Sequence, residues 1–181
     1  MEQLDEEQAA VLVPFSNPDN KVGGGTVLNI FRTLAHAPKA LAAFLGWGNY
    51  ILSRRNSLTP RDRELVVLRT GWLCKSGYEF AQHTRIGKAC GISDGEIARI
   101  KAGPDDAGWS PLESAMLRAT DELVSDHFVT SETWDGLAGL GDKGRMDLVM
   151  TVGQYTQVSM MLNSFGIQLE DGDMADPDLQ A

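Results

Sequence analysis

Helical periodicity, with nothing to compete against it, is the feature that most limits what this chain can fold into. Apolar residues recur at three- and four-residue spacing along most of its length. No run alternates apolar and polar residues between turn signals, so no strand is expected. Helix-start signals recur in step with that period. Thr59-Pro60 places a capping hydroxyl before a proline at the first helical position. Ser93 with Glu96, and Ser110-Pro111 with Glu113, are capping boxes. Gly91 is placed to end the helix that carries His83. The reading is an all-α fold: one compact domain of roughly seven to eight helices.

The pattern divides the chain into three parts. Residues 1–25, with Pro14, Pro18 and Gly23-Gly24-Gly25, read as an irregular arm. Residues 26–170 form the helical domain, and the acidic stretch 171–181 reads as a fraying tail. Inside the domain, a first helix is expected from about Thr26. A second, after Pro38, carries Leu41, Phe44, Leu45 and Trp47 in one apolar stripe. The helix after Thr59-Pro60 is apolar around most of its girth (Leu65, Val66, Val67, Leu68, Trp72), which predicts burial on every side. The chain bends at Lys75-Ser76-Gly77, and a long last helix, about 143–165, belongs to the core.

Charge narrows the function. The 181 residues carry a formal net charge of −9. Phosphate-rich partners require a basic face, so nucleic acid and anionic membrane surfaces are disfavoured. No stretch is apolar enough over its length to span a bilayer, and Met1–Glu7 is acidic rather than signal-like, so the cytoplasm is expected. The two cysteines, Cys74 and Cys90, fit neither a disulfide scaffold nor a zinc motif, and no metal site is expected.

Glu79 and His83 are the residues that point to chemistry. Four apart on a helix, they share one face, and a carboxylate there can fix the imidazole tautomer and raise its basicity. The neighbouring positions Phe80, Ile86, Gly87 and Cys90 are not polar, so His83 is expected to face inward. The same spacing also describes an ordinary helix contact worth about 0.2–0.5 kcal/mol. Glu64 sits early in its helix, where a carboxylate suits the dipole or pairs with Arg61 or Arg69. Tyr78, Cys74, Ser76 and Tyr155 are candidate substrate contacts. Gln154, on the apolar last helix, is read as bonding to a neighbouring helix, and Arg85 and Lys88 as a solvated face.

A larger pattern ties these residues together. Thr59-Pro-Arg-Asp-Arg-Glu-Leu, Cys74, the run YEFAQH over 78–83, Gly91-Ile-Ser-Asp-Gly-Glu-Ile and the closing helix from Val152 to Gly166 resemble the carboxymuconolactone decarboxylase and alkylhydroperoxidase D-like superfamily. The resemblance covers about residues 27–170. It implies the alkylhydroperoxidase D-like helical fold, a small-molecule substrate, no cofactor, and a homo-oligomer, trimer or hexamer. In the peroxidase branch, two cysteines precede the histidine. Laid on this chain, those positions are Ser76 and Glu79, so the disulfide-cycling mechanism loses both its thiols.

The resemblance therefore implies an acid–base site. Its lyase branch acts on a small carboxylated lactone or keto compound. There His83 would deliver the proton, Glu79 would orient and tune it, and Glu64 would relay protons or position the substrate. A thiol peroxidase built on Cys74 and Cys90, another acid–base enzyme such as an isomerase, dehydratase or lactone hydrolase, and a non-catalytic helical module remain alternatives.

Overall fold

The computed structural model describes residues 4–16 and 26–179, and within them every regular element is helical. The α-helices are α1 (Glu6–Ala10), α2 (Asn29–Leu34), α3 (Pro38–Leu52), α4 (Pro60–Leu73), α5 (Gly77–Ala89), α6 (Asp94–Ala102), α7 (Pro111–Ser125), α8 (Ser131–Gly136) and α9 (Gly141–Ser164), joined by short 3₁₀ turns. Eight of these, α2 to α9, lie between residues 26 and 170. No helix among the described residues is long and apolar enough to cross a membrane.

α4 is the axis of the molecule. It packs against α5, α6, α7 and α9, and every residue from Glu64 to Gly71 is buried. The apolar girth of that helix has found cover on all sides, as its composition demands. Thr59 accepts the Asp62 amide at its start, with Pro60 in the first turn. Ser93 and Ser110 form the reciprocal capping boxes that open α6 and α7.

The α4–α5 connection is tight and defined. Lys75 adopts φ 53°, the Ser76 amide donates to Gly71 O at 2.9 Å, and the Lys75 amide donates to Trp72 O at 3.0 Å. These are the paired bonds of a left-handed helix stop. They reverse the chain so that α5 runs back along α4. Gly91 ends α5 in the same way, with φ 89° and the Ile92 amide bonded to Gly87 O.

Four expectations need correction. The arm is not irregular throughout. Asp5 and Gln8 make a capping box that starts α1, and a 3₁₀ turn follows over Val13–Ser16; Gly23-Gly24-Gly25 and Pro18 lie outside the described residues. Nor do the described residues of the tail stand free. Lys101 donates to Asp176 and Asp178, and Leu179 packs against the main core. Its acidic residues have found basic and amide donors, which composition alone does not reveal. Finally, Trp47 leaves the apolar stripe of α3. It is 41 % exposed and stacks on Tyr50, while Leu41 takes the buried side. The first helix also starts later than expected, at Asn29 rather than Thr26.

One half-buried ion pair binds three helices. Arg69 of α4 forks onto both oxygens of Asp121 on α7, at 2.6 and 2.9 Å, and its Nη1 donates to the Ile100 and Lys101 carbonyls that end α6. Removing the guanidinium strands a carboxylate and two carbonyls. Arg69→Leu is expected to destabilise the protein by about 3 kcal/mol. Arg69→Lys should recover less than half of that, since an ammonium cannot fork. Chemical denaturation measures both, and a loss below about 1 kcal/mol for Arg69→Leu would contradict this role.

Candidate active site

Antiparallel packing of α4 on α5 decides which side chains meet. Two glycines let the helices come close. A Cβ on Gly87 would lie 3.2 Å from both Leu68 Cδ1 and Ile92 Cδ1, and one on Gly71 would lie 3.4 Å from Glu79 Cγ. At that approach Glu64, from the first half of α4, reaches across to the middle of α5. Its Oε2 lies 2.6 Å from His83 Nδ1. On the other side of the ring, Nε2 lies 2.9 Å from Glu79 Oε1, one helical turn earlier on α5. The i,i+4 pair is thus extended into a trio by a residue from another helix.

All three members are buried: Glu64 is 1 % exposed, Glu79 4 % and His83 7 %. The two contacts on the ring differ in quality. Nδ1 and Glu64 make a well-formed hydrogen bond. Glu79 is near enough to pair with Nε2, but its Oε1 receives no well-aligned donor. Burial pushes the imidazole toward its neutral form, but the charges of Glu64 and then Glu79 outweigh it, and hold His83 up to about 10. The ring between Glu64 and Glu79 is thereby held toward its protonated form. Tyr155 of α9 sets its ring edge-on to the imidazole, with centroids 4.9 Å apart and an interplanar angle of 82°. Burial, then the charges of Glu79 and Glu64, push its phenol well above the usual range.

The trio borders a cavity of about 660 Å³. Glu79 and His83 are on its wall; Glu64 sits behind them. Tyr78, Tyr155, Gln154, Gln82 and Arg85 also line it, with an apolar remainder that includes Phe31, Phe44 and Ile51. The far wall is the segment after α9. Tyr78 Oη and Gln82 Nε2 each donate to Glu170 at 2.7 Å, as does the Asn29 amide at 2.8 Å, and Gln82 Nε2 also donates to Asp173. Burial and the bond to Glu170 both push the Tyr78 phenol upward.

Of the residues singled out from sequence, Glu64, Glu79 and His83 come together, and Tyr78 and Tyr155 join them at the cavity. Glu64 does not take Arg61 or Arg69, which are held by Glu96 with Glu113 and by Asp121. Cys74 and Ser76 do not line the cavity. They occupy the turn that reverses the chain from α4 to α5, where the Cys74 thiol meets Thr156 and Ser159, and burial pushes it up. Gln154 is on the cavity wall, and its buried Oε1 has no donor, so no neighbouring helix supplies one. Arg85 donates to Gln82 at the cavity, whereas Lys88 pairs with Asp94 elsewhere. Gln82, Glu170 and Asp173 went unnoticed in the sequence. Gln82 falls on the same helix as Glu79 and His83, which is the one local signal available.

The raised imidazole has a consequence for stability. An unfolded histidine titrates near 6.5, so the stability this ring contributes is complete below that pH and is lost as pH climbs toward 10. Cys74, Cys90, Tyr78 and Tyr155 act in the same direction, but only above about pH 8, where unfolded thiols and phenols begin to titrate. Between pH 6.5 and 8 the protein should therefore lose stability at up to about 1.4 kcal/mol per pH unit. Denaturant titrations across that window check this, and a flat profile would contradict it.

The carboxymuconolactone decarboxylase family model matches residues 38–122, which include α4 and α5 and hence the whole trio. Solved structures share the fold. An uncharacterized peroxidase-related protein from Ralstonia eutropha JMP134, described as an alkylhydroperoxidase AhpD core, superposes with a TM-score of 0.79 at 22 % identity. That match covers 93 % of this chain and 91 % of the other. An uncharacterized peroxidase-related protein from Silicibacter sp. TM1040 gives a TM-score of 0.78 at 15 % identity, over 94 % and 88 % of the two chains. A protein of unknown function from Agrobacterium tumefaciens gives 0.69 at 17 % identity, over 76 % and 95 %. No curated protein matches the chain in sequence.

Proposed function

We propose that Glu79, His83 and Glu64 form a proton relay, and that the protein, which resembles the carboxymuconolactone decarboxylase and alkylhydroperoxidase D-like superfamily, is an acid–base enzyme for a small, largely apolar molecule. The observation that carries this is the state of Glu79. It faces the cavity, its Oε1 lacks an aligned donor, and it belongs to a buried trio with two carboxylates and one imidazolium. Arg63 Nε, 3.9 Å from the other oxygen of Glu64, offsets the charge of that inner carboxylate, so Glu79 is the member of the trio left to exchange a proton with the cavity.

Glu79 is then the group that exchanges a proton with the substrate. The C–H or O–H bond of the substrate breaks, its proton goes to the Glu79 carboxylate, and the electron pair stays on the substrate, to be held by a conjugated carbonyl. The same carboxyl returns the proton to a different atom. His83 keeps Glu79 oriented and shares its charge, and Glu64 fixes the other ring nitrogen, as a carboxylate behind a histidine commonly does. This shifts the delivering role from His83, both of whose nitrogens are engaged by carboxylates, to Glu79. No cofactor enters the scheme, in keeping with the family resemblance.

Decarboxylation of a small carboxylated lactone or keto compound is the narrower form of this reading. It needs a seat for the substrate carboxylate, and Arg85 is the arginine on the cavity wall able to provide one. A thiol peroxidase is less well supported. Cys74 follows α4 and Cys90 follows α5, so the length of α5 separates them, roughly 20 Å at 1.5 Å per residue. That is several times the reach of a disulfide. Burial also pushes both thiols up, away from the reactive thiolate.

Deuterium uptake from D₂O into a panel of small cyclic ketones and lactones, read by mass spectrometry, tests the relay. Glu79→Gln is expected to slow exchange at least 100-fold, while Cys74→Ser leaves it within about twofold. Exchange retained by Glu79→Gln, or lost in Cys74→Ser, would overturn the proposal.

A further inference from the structure

The polar groups on the cavity wall are unbalanced in two independent ways. The first is hydrogen bonding. Gln154 Oε1, on a residue 5 % exposed, lines the cavity from α9 without a donor, and on α5 the Oε1 of Glu79, a residue 4 % exposed, has only the poorly aligned His83 Nε2 at 2.9 Å. Three of the wall's donor side chains are turned to other partners. Tyr78 Oη and Gln82 Nε2 point at Glu170, Gln82 also at Asp173, and Arg85 Nη2 at Gln82 Oε1. Buried acceptors left in this condition are costly, so a ligand that supplies N–H or O–H groups gains what the protein itself leaves unmade. The second is charge. Four carboxylates (Glu79, Glu170, Asp171, Asp173) share the wall with Arg85 and His83, and Glu64 stands behind. The remainder, including Phe15, Phe31, Phe44 and Ile51, is apolar and does little to screen that field.

We propose that this cavity takes a molecule with an apolar body and a polar end that donates hydrogen bonds and carries no negative charge, with a protonated amine as the best match. The donor end sits between Glu79 and Gln154, facing the acidic wall formed by the segment after α9, and the body lies against the phenylalanines. This rests on the cavity being the reaction site. It narrows the substrate class, placing a donor-bearing carbon acid ahead of a carboxylated one. It also gives two side chains outside the relay a role in selectivity: Gln154 through its free carbonyl, and Asp173 through its charge.

Three ligands on one skeleton separate the possibilities: 3-phenylpropylamine, 3-phenylpropan-1-ol and 3-phenylpropanoate. Each is titrated calorimetrically into the intact protein at pH 7 and low salt. The amine should bind tightest, the alcohol next, and the carboxylate at least tenfold more weakly than the amine. Gln154→Leu should weaken amine and alcohol about fivefold without affecting the carboxylate. Asp173→Asn should narrow the gap between amine and carboxylate while leaving the alcohol unchanged. Equal or tighter binding of the carboxylate, or indifference of the amine to both substitutions, overturns the inference. Binding is read without turnover, so its outcome is separate from that of the exchange assay. If the order fails while Glu79→Gln still abolishes exchange, the ligand class is wrong and the relay stands. If the order holds while Glu79→Gln still exchanges, the relay is wrong and the ligand class stands.

Discussion

The site depends on one close approach, that of α4 to α5. Gly71 and Gly87 remove the side chains that would hold these helices apart. The tight stop at Lys75 then turns α5 back along its neighbour. Only under those conditions can Glu64 reach an imidazole 19 residues further along the chain. Burial of the three side chains follows, and it is what makes them chemically unusual. The same trio at a surface would have an ordinary histidine and ion pairs worth little. Here the low-dielectric surroundings strengthen the pull of both carboxylates on the ring, beyond what burial costs it.

Much of this could be read before any coordinates were known, because the relevant signals are local. Thr59-Pro60, Ser93 with Glu96, and Ser110 with Glu113 each satisfy their own helix end, so their meaning does not depend on tertiary context. The Glu79–His83 pair is fixed by helical spacing alone. Glu64 was legible only through the family pattern. Nothing near it in sequence distinguishes a relay carboxylate from one serving the helix dipole or pairing with Arg61.

What escaped the reading was set by long-range contacts. Residues after Glu170 look like a fraying acidic tail, yet Gln82 and Lys101 give them partners from α5 and α6. Gln154 looks like one helix binding to another, and instead it is on the cavity wall without a donor. Cys74 and Ser76 look like substrate contacts, and here they line no cavity. In each case the composition is compatible with several environments, and packing makes the choice.

The chain is similar both to a decarboxylase family model and to peroxidase-related structures, and the shared fold does not discriminate between the two chemistries. The discrimination lies in Glu79, which holds a carboxylate where the redox branch holds a thiol. Its value as a base depends on the charge of the ring beside it. The most direct measurement is therefore ¹⁵N NMR of the His83 ring between pH 5 and 11. A relay of one imidazolium between two carboxylates predicts that both ring nitrogens stay protonated through pH 8, with a midpoint near 10. A midpoint near the ordinary 6.5 would mean that the ring is neutral at work, and would contradict the charged trio on which the proposed function rests.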